Sequence, residues 1–189
     1  MAIEVVTAPA SDPVTLAEVK ARIRVDDADD DVDLAFLIKA ATRTVEGETW
    51  RHIVERTIDW TLDAFSPVLL VPVHPVQSIT SIKYLDGDGV EQTLDAAKYR
   101  LAKGGDRGPA RITPEYDQVW PQTHQVTEAV TIRMVTGGAV DHVADELKLG
   151  LMALVGHWHQ QREAAIISEV VREVPPYMQS VLASNRLPV

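Results

Sequence analysis

Hydrophobic and polar positions follow two different periods along the chain. Apolar residues recur at helical spacing in residues 16–23, 34–45 and 147–158. Between residues 56 and 135 the period changes to two, which is typical of half-buried β-strands. This order predicts an α+β protein. We expect a helical bundle of about three to four helices, with a small, mostly antiparallel β module inserted between the second and third helices.

Start and stop signals refine the helices. Thr15 and Glu18 form the pattern of a capping box, in which each side chain accepts a hydrogen bond from the other residue's backbone N–H. Gly47 is the predicted end of the second helix. Asp141 or Asp145 is the predicted cap of the long third helix. The prolines at 175 and 176 predict a break followed by a short last helix.

Core positions follow from the same stripes. Leu37 on the second helix and Leu154 on the third lie on the apolar sides of their helices, so we expect both in a shared core.

Short alternating segments divide the β module into strands. The clearest, residues 79–84, runs into Asp86-Gly87-Asp88-Gly89, a sequence that predicts a hairpin turn and a returning strand over residues 90–94. Further strands are expected at residues 57–62, 68–71, 99–101, 110–112 and 126–135.

These elements predict four regions. Residues 1–55 hold the N-terminal helices, residues 56–138 the β module, residues 139–174 the long helix, and residues 175–189 a C-terminal tail. The tail has too few residues for a core of its own, so we expect it to be ordered only by a partner.

Composition narrows the class of protein. The 189 residues include no cysteine, which excludes disulfides, iron–sulfur clusters and thiolate zinc sites. With 28 acidic and 18 basic residues, the formal net charge is −10, which argues against wrapping nucleic acid through phosphate contacts. We expect no signal peptide and no membrane-spanning helix, because the N-terminus has neither a basic start nor an apolar core and no apolar run is long enough.

The stretch GHWHQQRE, residues 156–163, looks at first like a metal or acid–base site. His157 and His159 are two positions apart on a helix and point in different directions, so they cannot chelate one ion. His159 and Glu163 share a face but supply only two ligands, fewer than a zinc site needs. We interpret the stretch as a helix end, with Trp158 packed inward and His159 meeting water or a neighbouring chain.

Other catalytic and cofactor signatures are missing from the sequence. It has no nucleophile elbow, phosphate-binding loop, dinucleotide fingerprint or zinc-protease motif. The acidic run at residues 26–33 lacks the ligand spacing of a calcium loop and is better explained as charge at a helix start. We expect no catalytic residues, no metal and no cofactor.

The order of short motifs resembles the phage head–tail connector (adaptor) proteins of long-tailed phages and gene transfer agents. The resemblance covers about residues 13 to 187 and rests on the order and spacing of short motifs: residues 13–20, 24–26, 40–41, 45–46, 76–84 with the turn after them, 99–101, 109–112, 120–121, 136–138, 154–158 and 162–163. One departure is Val143-Ala144-Asp145, where that family often begins its last helix with a proline.

The resemblance implies a structural role rather than catalysis. Connectors of this kind form a ring, typically a dodecamer, below the portal protein of a DNA-filled head. They extend the DNA channel, through which DNA passes without specific binding, and present a platform to a tail-side stopper or head-completion protein. The implied location is the head–tail interface of a virion or virus-like particle, assembled in the host cytoplasm.

In this interpretation two groups of residues contact partners. The tail would dock on the portal through its apolar side chains, Tyr177, Met178, Val181, Leu182 and Leu187. Part of the acidic run, Asp29, Asp30 and Asp31, would face the DNA channel or a neighbouring subunit, since it holds more carboxylates than a helix start requires.

Two alternatives stay open at the level of sequence. One is a metal-dependent or hydrolytic enzyme of a mobile element, and the other is a tail-completion protein that binds elsewhere in the particle.

Overall fold

A computed structural model of the chain describes residues 1–105, 108–161 and 175–186, and for Tyr177 it describes only the backbone. The chain forms two compact units. The β unit consists of Met1–Ala10 and Glu55–Gly138, and the helical unit consists of Ser11–Val54 and Ala139–Arg186.

The first helix of the helical unit, α1 (Leu16–Ile23), begins as predicted. The Thr15 hydroxyl accepts a hydrogen bond from the Glu18 backbone N–H, and the Glu18 carboxylate accepts one from the Thr15 N–H at 2.7 Å. The hydrogen bond from the Thr15 backbone N–H to the Glu18 carboxylate, and a second one from the Thr15 hydroxyl, hold the pKa of Glu18 below its usual value. The capping box is therefore confirmed. The helix ends at Arg24, which takes the left-handed conformation with φ 60°.

The second helix, α2 (Asp31–Thr49), runs past its predicted end at Gly47. Val45 and Thr49 are both buried one turn apart, and the Thr49 hydroxyl donates to the Val45 carbonyl at 2.6 Å. A glycine inside a helix costs only about 1 kcal/mol relative to alanine. Burial of the residues on either side of Gly47 outweighs this cost, so the helix continues past it. Trp50, with φ 55°, ends the helix.

The third helix, α3 (Asp145–Gln160), is not capped by Asp141 or Asp145. Its N-cap is Ala144, which makes no side-chain hydrogen bond, and Asp141 lies in a preceding 3-10 turn, Val140–His142. Asp145 is instead the first helical residue, where its negative charge interacts favourably with the positive end of the helix dipole. The last helix, α4 (Pro176–Asn185), follows Pro175 as the prolines predicted.

One apolar core joins the four helices. Its buried residues come from every helix and from the segments beside them: Val14, Val19, Leu34, Ile38, Ala41, Val45, Ile53, Val54, Val143, Leu147, Leu151, Leu154, Val155, Met178 and Leu182. Leu154 is fully buried, as expected, whereas Leu37 is only half-buried and packs at the margin of the core.

The β unit contains two antiparallel sheets. The larger has five strands in the order β1-β2-β8-β4-β5, and the smaller has three in the order β3-β7-β6. The strands are β1 (Ala2–Thr7), β2 (Arg56–Leu62), β3 (Leu69–Leu70), β4 (Val76–Leu85), β5 (Glu91–Leu94), β6 (Tyr99–Ala102), β7 (Arg111–Pro114) and β8 (Val130–Thr136). The α+β class with antiparallel sheets is confirmed.

Strand alternation positions the β core. In β2 and β8 the paired residues Trp60 with Ile132, and Ile58 with Met134, point to the buried face of the large sheet. Asp59 and Arg133 point to the other face, where the guanidinium donates two hydrogen bonds to the carboxylate at 2.8 and 2.7 Å. The predicted period of two is therefore realised in these strands.

Strand β1 was not among the predicted elements. It lies at the edge of the large sheet, pairs antiparallel with β2, and is exposed at all six positions. The β unit is thus not wholly inserted between α2 and α3, because its first strand precedes α1.

Replacing Leu154 with alanine should lower the free energy of unfolding by about 2–5 kcal/mol, the usual loss for a large-to-small change in a packed core. The matched control is Leu149→Ala on the same helix, because Leu149 is 48% exposed. Leu37→Ala should fall between the two. Chemical unfolding monitored by tryptophan fluorescence gives all three values, and equal losses for Leu154→Ala and Leu149→Ala would contradict the assigned faces of α3.

Candidate functional site

The histidines of GHWHQQRE lie in the last turns of α3, as predicted. Trp158 packs against the helical core, which confirms its inward orientation. Arg162 and Glu163, and with them the predicted shared face of His159 and Glu163, lie outside the described residues.

His159 does not face water, which corrects the expectation for this side chain. Only 12% of its side chain is exposed, and its Nε2 lies 3.6 Å from Oδ2 of Asp30 while its Nδ1 lies 4.0 Å from Oδ2 of Asp33. Asp30 is the N-cap of α2 and Asp33 belongs to its first turn. The end of α3 is therefore seated against the acidic start of α2.

A second polar contact joins α1 to the same acidic start. The Lys20 ammonium forms an ion pair with Asp31 at 2.5 Å and donates a further hydrogen bond to the backbone carbonyl of Asp27 at 2.6 Å. The Lys20 side chain is 18% exposed and that of Asp31 is 35% exposed, so water screens the pair only in part.

The acidic run thus divides into internal and outward-facing carboxylates. Asp30 and Asp31 have contacts inside the helical unit, whereas Asp26, Asp27 and Asp29 are exposed. The proposal that Asp29, Asp30 and Asp31 face a channel or a neighbouring subunit remains a prediction. Asp29 is the one of the three with an exposed side chain.

These groups do not converge into a metal site. Within residues 1–105, 108–161 and 175–186, no set of three or more His, Cys, Asp or Glu side chains is placed to hold a metal ion. Over the same part of the chain, no helix combines the length and the apolar character needed to cross a membrane.

The Asp86-Gly87-Asp88-Gly89 segment is the predicted hairpin turn between β4 and β5. The Asp86 carboxylate accepts hydrogen bonds from the Gln92 side chain and from the backbone N–H groups of Val90 and Asp88. These bonds hold the pKa of Asp86 below its usual value, with the Gln92 amide making the largest contribution. Gly89 supplies the positive φ, 80°, that the turn requires.

The C-terminal segment is more internal than its sequence indicated. Met178 and Leu182 are buried in the helical core, and Val181 packs against it half-buried. These side chains are covered by their own chain, so the expectation that only a partner orders the tail does not hold for α4. The Tyr177 side chain and Leu187 lie outside the described part of the chain.

Gly150 explains how α4 approaches α3 so closely. A Cβ atom at this position would lie 2.9 Å from Sδ and 3.2 Å from Cε of Met178. Real Cβ atoms do not come so near to a sulfur, so the glycine provides the space that Met178 fills.

The face of α2 opposite its buried side is exposed and was not among the predicted contact surfaces. We call this surface the outer stripe. It consists of residues that recur every three or four positions and ends at the residue that caps the helix: Val32, Phe36, Lys39, Arg43, Gly47 and Trp50. Val32 is 85% exposed, Phe36 68% and Trp50 45%. The apolar spacing of Val32 and Phe36, out of phase with Leu34 and Ile38, is the sequence signal that could have revealed it.

The outer stripe is also a basic patch on an acidic protein. Lys39 and Arg43 are exposed, and within the described residues neither side chain takes part in an ion pair or hydrogen bond. Apolar groups flank these two cations toward both ends of the helix.

No protein-family model matches the chain, and no curated protein matches it either. Solved structures do match, over all of this chain and nearly all of theirs. A chain in the virion of a native gene transfer agent particle superposes with a TM-score of 0.82 at 21% identity, covering 100% of this chain and 97% of its own.

Two neck structures give similar results. A chain in the neck of an empty gene transfer agent particle, computed with C6 symmetry, has a TM-score of 0.78 at 20% identity. A chain in the neck of the native particle, computed with C12 symmetry, has a TM-score of 0.77 at 21% identity. Both alignments cover 100% of this chain and 97% of the other. At this identity the likeness shows that the chain shares their fold.

Replacing Gly150 with valine should separate α4 from α3. The branched side chain would occupy the space of Met178, and overpacking of this kind costs about 1–3 kcal/mol. Gly150→Ala is the milder control, because the end of the Met178 side chain can shift. The measurements are chemical unfolding and the rate of proteolytic cleavage within α4. Wild-type stability and wild-type cleavage of Gly150→Val would contradict the packing of α4 described above.

Proposed function

We propose that the chain is a structural component of the neck of a phage-like particle or gene transfer agent, where it acts as a head–tail connector. The observation that carries this proposal is the likeness to chains of gene transfer agent particles, two of them from the neck, over 100% of this chain and 97% of each of those chains, at TM-scores of 0.77–0.82. The two necks were computed with C6 and C12 symmetry, which favours a ring of copies for this chain as well.

The chemistry of the surface is compatible with a structural role. His159 lies 3.6 Å from Asp30 and 4.0 Å from Asp33, and within the described residues no group of three His, Cys, Asp or Glu side chains is positioned to bind a metal ion. From the likeness to chains of gene transfer agent particles, we propose that the chain is a structural protein of the virion and not an enzyme.

The finer assignments belong to the same proposal. The ring would lie below the portal protein, extend the DNA channel and support a tail-side protein. A net charge of −10 suits a channel that must not hold DNA, since an acidic wall offers the phosphates no cations to replace their counterions.

If the C-terminal segment docks on a portal, only those of its side chains that the helical core does not bury can make the contact. Met178 and Leu182 already stabilise the helical core. Contacts with a portal would therefore fall to Tyr177, Leu187 and the exposed side of α4, while Val181 is shared with the core margin.

Loss of the chain should leave DNA-filled heads without tails. In a producing strain that lacks the gene, electron microscopy of lysates should show heads and free tails but few joined particles. Supplying the wild-type chain should restore joined particles, and the destabilised Leu154→Ala chain should restore fewer. Normal numbers of tailed particles without the chain would overturn the proposal. Capture of the chain by purified tails but not by heads would favour a tail-completion role instead.

The acidic run offers a separate test within the assembled particle. Changing Asp29, Asp30 and Asp31 together to asparagine should reduce DNA transfer or ring packing. The monomer should stay folded, because it loses only polar contacts, such as those of Asp31 with Lys20 and of Asp30 with His159. A matched control removes three exposed carboxylates elsewhere, with Asp12, Asp88 and Asp141 changed to asparagine. Equal transfer frequencies for the two triple variants would contradict a special role of the acidic run.

A further inference from the structure

The outer stripe of α2 is an apolar and basic surface that the fold of a single chain does not use. We propose that it is the contact surface for a second copy of this chain, and that the exposed Asp26 and Asp29 of that copy lie against Lys39 and Arg43. This inference rests on the proposed function and deepens it, because it names the surfaces through which neighbouring copies in the ring meet.

The apolar members of the stripe account for the need for a partner. Val32 and Phe36 are 85% and 68% exposed although the opposite side of the same helix is fully occupied by the core. Trp50 adds a partly exposed indole where the helix ends. Large apolar side chains gathered on one exposed face, with aromatic members among them, are characteristic of protein–protein contact surfaces.

The charged members of the stripe account for which partner binds. Lys39 and Arg43 lie between the apolar groups and have no acidic partner among the described residues. The protein itself is acidic, with 28 acidic against 18 basic residues. Asp26 and Asp29 are exposed, like Asp27, and belong to the segment between α1 and α2. The carboxylates that follow them, Asp30 and Asp31, are already engaged inside the helical unit. A second copy therefore brings complementary charge to the stripe.

DNA fits this surface less well. Two cations flanked on both sides by apolar side chains are too few to follow a phosphate backbone, and the net charge of −10 opposes DNA binding over the rest of the protein.

Gly47 supports a close approach at the stripe. It lies inside α2, where a glycine destabilises the helix relative to alanine, and a Cβ at this position would meet no atom within 4 Å. The surrounding structure of the same chain would therefore accept a larger residue than glycine at this position. A second copy whose backbone or side chain packs directly on the helix at this point would explain why the residue is glycine.

The geometry of the contact is suited to a ring. The stripe and the acidic segment are different patches of the same chain, so each copy can offer its stripe to one neighbour and its acidic segment to another. Such head-to-tail contacts build rings when the rotation between copies closes.

Charge exchange tests the pairing directly. One variant carries Lys39→Glu and Arg43→Glu, and the other carries Asp26→Lys and Asp29→Lys. Each alone places like charges opposite each other and should associate more than about tenfold more weakly than the wild type. An equimolar mixture of the two should regain association, because each stripe then meets a complementary segment on the other variant. Sedimentation velocity at low ionic strength, over a wide range of concentrations, measures the three samples.

The matched control changes Lys98 and Lys103 to glutamate. Both side chains are exposed in the β unit, and the change in net charge equals that of the stripe variant. This control should associate like the wild type. An equal loss in the control, or a mixture no more associated than its components, would overturn the inference. A wild-type chain that stays monomeric at every concentration would also overturn it.

A second variant separates assembly from stability. Gly47→Gln replaces a poor helix former with a good one and should raise the thermal midpoint of the monomer by about 2–4 °C. The same side chain would block the close approach and should weaken association more than about tenfold. Higher stability with unchanged association would contradict the proposed contact at Gly47.

The assembly size distinguishes this inference from the proposed function. Restored association that stops at a dimer supports the stripe as the contact surface but contradicts a ring. The two charge variants could lose and regain association as expected although the chain is absent from particle necks. That result would reject the neck role but would support the contact surface.

Discussion

The pairing of the first and last strands of the segment between α2 and α3 is the constraint on which the helical core depends. Arg56 of β2 is paired with Thr136 of β8, and the Glu55 N–H donates to the Gly138 carbonyl at 2.9 Å. The Gln77 side chain also donates to the Glu55 carboxylate and the Gly137 carbonyl. The chain therefore leaves and re-enters the β unit at neighbouring points. Closing this long loop reduces the entropy lost when α2 and α3 come together into one core.

In the helical unit the polar contacts of Lys20 and His159 lie at helix ends and the apolar residues fill the interior. Lys20 and His159 approach the acidic start of α2 from α1 and α3, so some of the negative charge concentrated there has cationic or polar contacts within the unit. Burial of Met178 and Leu182 adds α4 to the same core. Within the described residues of the helical unit, the outer stripe stays exposed. This distribution is compatible with the proposal that the chain binds copies of itself.

Local signals explain how much of the fold could be predicted. The Thr15–Glu18 capping box, the hairpin turn at Asp86 and the alternation in β2 all depend on residues close together in sequence, and all were confirmed. The candidate contact surfaces were harder to assign. Asp30 contacts His159, which lies far away along the chain, and Asp31 pairs with Lys20 in a separate helix eleven residues earlier.

The sequence by itself determined the α+β class, the order of helices and strands, and the turns between several of them, because periodicity and capping act over a few residues. Only the tertiary structure decided that β1 joins the large sheet, that α2 continues through Gly47, that His159 faces two carboxylates, and that α4 is part of the core. Each of these outcomes depends on a partner from a distant segment. Burial and pairing with such a partner outweigh local propensities of about 1 kcal/mol, so no local pattern can reveal them.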